Sequence, residues 1–252
     1  MAATMVPGTW AVPNLFRERL GSGVGRQRYM EAEGHLLLVL HAPPKPDETR
    51  REGRFFWRAA DGSWTSDDLG TGAAALMTHL DQYEDVINRL DRLEEKATTA
   101  DEYFQVLEQL APVFRSARNT YVALDDARKA CPQYRELIDV RDRAYDIQRT
   151  AELLYDGTRN ALEFAVARRA EEQAAASHRM AVSAHRLNLL AAFFFPIATL
   201  SAVFGVNLKH GWEEMPPPFY FLGLILAGLL CGGVLTMFIT QNSGQAGDRP
   251  TR

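Results

Sequence analysis

The stretch LNLLAAFFFPIATLSAVFGVNLKHGWEEMPPPFYFLGLILAGLLCGGVLTMFITQ, Leu187 to Gln241, governs the reading of the fold, because in it two uncharged apolar runs flank a short polar turn. The first run, Leu187 to Phe204, contains no Asp, Glu, Lys or Arg, and at helical rise it extends about 27 Å. The second, Phe219 to Ile239, is likewise uncharged and reaches about 31 Å by the same rise. Each is long enough to cross a bilayer core. The turn, Gly205 to Pro218, is too short to be a domain, and Pro216-Pro217-Pro218 bars helix until the second run begins. Two antiparallel spans are expected, 187–204 and 219–240, with both chain ends on one side.

Charge asymmetry indicates which side. Arg168, Arg169, Arg179 and Arg186 precede the first span, and Arg249 and Arg252 follow the second in a short tail, 241–252. The turn carries Lys209 against Glu213 and Glu214. The excess of arginine at both ends therefore predicts a two-span protein of the cell membrane, plasma or inner, with N- and C-termini in the cytoplasm. No basic region precedes an early apolar run, so the first span is expected to target the chain without a cleaved signal.

The average composition conceals this layout. A mean hydropathy of -0.22, a net charge of -4 and 46% hydrophobic residues resemble a water-soluble protein, yet they combine a polar first three-quarters with an apolar tail. The acidic balance, with no basic stripe, argues against nucleic acid as a partner. Cys131 and Cys231 fall in the polar part and in the second run. They show no metal-ligand spacing and read as packing residues.

Residues 1–71 read as short extended pieces forming a small, partly β subdomain of three or four strands. Gly34 to Leu40 is a compact apolar run and Arg54-Phe55-Phe56-Trp57-Arg58 is aromatic-rich, with turn signals at Pro43-Pro44, Asp61-Gly62 and Gly70-Thr71-Gly72. Gly21-Ser22-Gly23-Val24-Gly25 lacks a glycine at position 26, the Lys-Ser/Thr pair and the preceding long apolar strand of a phosphate loop, and reads as a turn. Helices fill 72–132. Leu76, His79, Leu80, Tyr83, Val86, Ile87 and Leu90 form one amphipathic face, and a second helix runs from about Thr99 to Lys129 before Cys131-Pro132 interrupts it.

From Gln133 to Phe204 only Pro196 breaks the helical pattern, which predicts a stalk helix over 133–186 continuing into the first span, on the order of 108 Å in all. A heptad seam runs along it. Leu137, Ala144, Ala151, Thr158 and Ala165 fall seven apart, with Val140, Ile147, Leu154 and Ala161 three after each. Packing within one chain and self-association both satisfy such a seam. His178 and His185, also seven apart, admit a shared metal or proton site around an axis, but a solvated basic collar at the membrane edge is the reading adopted.

No nucleophile, acidic pair or histidine group stands in a catalytic setting, so a non-enzymatic role is expected. The second span contains Gly228-Leu229-Leu230-Cys231-Gly232, a GxxxG spacing that permits close helix contact.

At Phe204-Gly205-Val206-Asn207, followed by Glu213-Glu214-Met215-Pro216, the chain resembles the CorA family of divalent-cation channels. That family carries a Gly-Met-Asn signature at the outer end of its first span, with an acidic residue and Met-Pro beyond, and Pro196 matches a proline common in that span. The resemblance implies an α-rich membrane protein with a small α/β N-terminal cytoplasmic domain, a very long stalk helix and two transmembrane helices. It also implies a homo-oligomer of five chains in the lipid bilayer moving Mg²⁺, with no tightly bound cofactor. Gly205, Val206 and Asn207 would form the selectivity filter, with Asn207 meeting the hydrated ion.

Two departures qualify this. Val206 replaces the signature Met, as an aliphatic residue does in the zinc-transporting ZntB branch, which leaves Zn²⁺ an alternative. The family's inner-mouth Asn falls on Ala181. The face below Asn207 passes Val203, Thr199 or Leu200, Phe195, Ala192, Asn188 and His185, so Thr199 is a pore-lining candidate, and Phe195 and Leu187 are candidate hydrophobic gates. Glu213 and Glu214 would concentrate cations at the mouth. Cytoplasmic regulatory metal would need carboxylates such as Asp125, Asp126, Asp142 and Asp146, among which the sequence does not choose. The missing Met and inner Asn leave a non-conducting, membrane-anchored scaffold as the competing reading.

Overall fold

Leu36, Leu37, Leu38, Val39 and Leu40 are all fully buried in a computed structural model of the chain, which describes residues 5–46, 51–205 and 219–246. They form the centre of an antiparallel meander, β1 (Arg28–Ala32), β2 (His35–His41), β3 (Gly53–Arg58) and β4 (Trp64–Ser66), in that order. Burial on both faces explains why β2 reads as a continuous apolar run and not as an alternating one. Leu36, Leu38 and Leu40, with Phe56 of β3, face a helical layer. Leu37 and Val39, with Met30 and Phe55, face a second small core made by Val6, Trp10, Val12 and Phe16. Each such leucine stabilises the fold by about 1.5–3 kcal/mol through removal from water.

That second layer adds a helix to the short extended pieces expected of this stretch: α1 (Asn14–Arg19), with Phe16 fully buried. Six residues are too few to display a helical period. The β1–β2 connection is the two-residue turn Glu33-Gly34, with φ of 54° and 77°. Positive φ at both positions is the geometry that matches the twist of paired strands.

The helical layer comprises α2 (Ala74–Glu94), α3 (Ala100–Ala130) and the first part of α4 (Glu136–Gly205). The amphipathic face read from the sequence is the one α2 buries, with Val86 only half-buried. Thr99 caps α3: its Oγ1 accepts from the Glu102 amide while the Glu102 carboxylate accepts from the Thr98 and Thr99 amides. Those bonds hold the Glu102 carboxyl down at about 2. At its other end α3 stops at Cys131, whose backbone leaves the helical region before Pro132. Cys131 is buried and unpaired, as a packing residue would be.

The α4 seam is satisfied within the chain along its first half. Leu137, Val140, Ala144, Ile147 and Ala151 belong to the helix–sheet core, Leu154 packs on it, and Thr158 is fully buried. Ala144 and Ala151, between the larger Val140, Ile147 and Leu154, let α4 approach its neighbours closely. The start of α4 is tied to the sheet. Arg58 Nε donates to Glu136 Oε1 at 2.7 Å, its guanidinium lies 3.7 Å from the Tyr134 ring centroid, and Tyr134 Oη donates to the Gly34 carbonyl. Farther along, Arg143 bridges to Asp81 and Glu84 of α2.

The chain divides into two compact units, Met1–Arg168 and Arg169–Arg252. The first holds the sheet and the helical layer. The second holds the remainder of α4 together with α5 (Phe219–Ala246).

Candidate functional site

Within the second unit, the end of α4 and α5 form a hairpin built on two glycines. A Cβ at Gly232 would lie 2.7 Å from the Phe193 carbonyl oxygen, and one at Gly228 would lie 2.8 Å from Ile197 Cγ1. Four residues forward on α4 correspond to four residues back on α5, so the helices run antiparallel. The GxxxG spacing therefore brings two helices of the same chain together, where the sequence left its partner open. Half-buried positions recur along α4 at His185, Leu189, Ala192 and Phe193, Pro196 and Ile197, and Leu200, the spacing of one helix face.

The candidate gates lie off that face. Leu187 is 67% exposed, Phe195 is 72% exposed and Thr199 is exposed. They do not share one narrow stripe: at about 100° per residue, Leu187 stands about 80° from Phe195 and about 120° from Thr199 around the helix. Thr199 Oγ1 donates to the Phe195 carbonyl at 2.8 Å, so its proton is committed to its own helix and its oxygen is left to accept.

Gly205 is the last described residue of α4. Val206, Asn207, Glu213 and Glu214 lie outside the described residues. Among the described residues one helix, α4, is long and apolar enough to cross a membrane; its best window has a mean hydropathy of 1.6 and none of it is buried. The described apolar part of α5, Ile225–Met237, is shorter.

No group of three His, Cys, Asp or Glu among the described residues is placed to hold a metal ion. Of the regulatory candidates, Asp125 accepts from Lys129 at 2.6 Å and Asp142 pairs with Arg141 at 2.9 Å. Asp126 and Asp146 are exposed.

The most perturbed group outside the hairpin is structural. His79 of α2 is fully buried between Phe56 and Tyr83, with edge-on ring contacts at 5.4 Å to each. Burial, reinforced by the Arg54 guanidinium 3.2 Å from its Nδ1, pushes its pKa down to about 3. The neutral ring therefore accepts from Arg54 and carries its proton on Nε2, which has no hydrogen-bond partner. Beside it, Tyr83 Oη donates to the His41 carbonyl at 2.9 Å and shares a 2.6 Å bond with Ser116 Oγ. Gln27 and Thr120 complete this buried chain across the sheet and α3. Nothing in the sequence pointed to these partners, which lie up to 93 positions apart.

These elements define a class: a helix-rich chain with a small N-terminal antiparallel sheet and one long helix that runs into an apolar hairpin. No protein-family model and no curated protein matches the chain. Among solved structures it is similar to the full-length CmaX protein, with a TM-score of 0.54 and 14% identity over 91% of this chain and 79% of that one. It is also similar to the complete structure of the CorA magnesium transporter from Methanocaldococcus jannaschii, with a TM-score of 0.41 and 14% identity over 86% of this chain and 80% of that one. Identity at this level speaks to fold alone, and the shared fold rests on the first of the two.

Proposed function

We propose that this chain is a homo-oligomeric, CorA-like membrane channel for divalent cations, pentameric, with Mg²⁺ as the preferred ion. The single observation that carries the proposal is the Gly205-Val206-Asn207 signature at the end of the apolar segment of α4. The spans are 187–204 and 219–240, the loop 205–218 faces outward, and both termini are cytoplasmic. Mg²⁺ sheds its water reluctantly, so a ring of Asn207 amide oxygens selects the ion with its first water shell in place. A neutral ring binds weakly enough to release it.

The hairpin supports this assignment. With one face of α4 taken by α5, Phe195 and Thr199, about 40° apart around the helix, stand uncovered and free to face an axis between chains, while Leu187 is uncovered on an adjoining face. Apolar side chains around a narrow path exclude water, and so gate it. Glu213 and Glu214 supply negative potential at the outer mouth. Conduction needs no chemistry: a divalent ion gains about 4.6 kcal/mol on entering across 100 mV, twice the single-charge figure.

Val206, in place of the signature Met, favours Zn²⁺ as the second reading. Flux of Mg²⁺ and Zn²⁺ into liposomes under an inward-negative potential separates the two. Asn207→Ala abolishes uptake of the transported ion; undiminished flux in that variant removes the filter assignment. No flux of either ion from folded oligomers, with and without internal magnesium, establishes the scaffold instead.

A further inference from the structure

The arginines of α4 differ in their partners. Several in its first half have acidic partners: Arg143 reaches Asp81 and Glu84 of α2, Arg149 pairs with Glu152 at 2.8 Å and Arg159 with Glu163 at 3.1 Å. Arg179 and Arg186 have no such partner among the described residues. The residues three and four positions away from Arg179 are Ala175, Ala176, Val182 and Ser183, and those around Arg186 are Val182, Ser183, Leu189 and Leu190. No acidic residue occurs between Glu172 and Glu213. Both arginines are exposed, and at seven residues apart they share a helix face about 10 Å apart along the axis. His178 and His185 precede them one position each, and Leu187 opens the apolar run immediately after.

We propose that Arg179 and Arg186, flanked by His178 and His185, form a binding surface for the phosphate groups of anionic phospholipids at the cytoplasmic face of the bilayer. This rests on the reading of 187–204 as a membrane span. That reading places Arg186 at the hydrocarbon edge and Arg179 about 10 Å outward, within reach of the headgroup layer. Unpaired guanidiniums bind phosphate oxygens in two-pronged fashion, which a paired arginine is less free to do. The anionic surface attracts basic residues beside a span, each adding about fivefold to affinity.

The test uses the full chain in vesicles of mixed phosphatidylglycerol and phosphatidylcholine. After carbonate washing and gentle extraction, the ratio of the two lipids retained per chain is measured by mass spectrometry. Wild type is enriched in phosphatidylglycerol, Arg179→Gln/Arg186→Gln loses up to about 30-fold of that preference, and inorganic phosphate does not displace the lipid. Arg179→Lys/Arg186→Lys keeps most of the preference and Arg159→Gln keeps all of it. A chain retained in washed vesicles with no preference, or with a preference the double variant leaves intact, overturns this proposal alone. So does displacement by inorganic phosphate, which would indicate a free-anion site. A chain lost on carbonate washing overturns the membrane reading with it.

Discussion

Acidification should loosen the sheet and helical layer through His79. The unfolded chain takes up a proton on this imidazole as pH falls through 6.5, whereas the folded chain resists until about 3. The unfolded state thus binds more protons across that interval, and stability is lost as pH falls. Between pH 7 and pH 5 the loss from this one group is about 2 kcal/mol, growing to on the order of 5 kcal/mol near pH 3. His41, whose pKa burial also lowers, contributes in the same direction, so a variant is needed to isolate His79. His79→Gln keeps an acceptor for Arg54 and cannot titrate. The assay is urea unfolding of the full-length protein in detergent at both pH values, followed by tryptophan fluorescence, since Trp10 and Trp64 are buried in this unit. Wild type should lose about 2 kcal/mol more than the variant over the interval. Equal losses would refute the assignment of a neutral, proton-excluding imidazole.

Further outcomes follow from the same geometry. Gly232→Ala places a methyl group against the Phe193 backbone carbonyl, which cannot swing aside as a side chain can, and should cost about 1–3 kcal/mol in thermal stability in detergent. Gly233→Ala, with nothing within 4 Å of the added carbon, should be nearly neutral and serves as the control. Tyr83→Phe removes the Tyr83 donor from the buried His41 carbonyl and leaves the Ser116 hydroxyl only its 3.3 Å bond from Gln27, and should lower urea stability by about 1–3 kcal/mol with little change in secondary structure by circular dichroism.

Several features were readable locally. The face of α2 follows from hydrophobic spacing. Thr99 and Glu102 have the spacing of a capping box, which marks the start of α3. The Glu33-Gly34 turn carries a weaker signal, because glutamate is not among the residues that favour positive φ. The short helix at Asn14–Arg19 escaped detection because a single turn and a half has no period to detect. For the candidate site, the apolar runs and the glycine spacing in α5 were visible. The contacts of Phe193 and Ile197 with those glycines were not, since GxxxG permits close approach without specifying by what.

By itself the sequence determined where charge is absent, where helices begin and which positions repeat along them, because these depend on residues within a few turns of one another. The tertiary structure alone decided that β2 is buried on both faces, that the first half of the α4 seam is satisfied inside its own chain, and that Gly228 and Gly232 receive the preceding helix. Each of those outcomes depends on which distant segment arrives to exclude water or fill space, and apolar burial is non-directional: a pattern of side chains states that a partner is required without naming it.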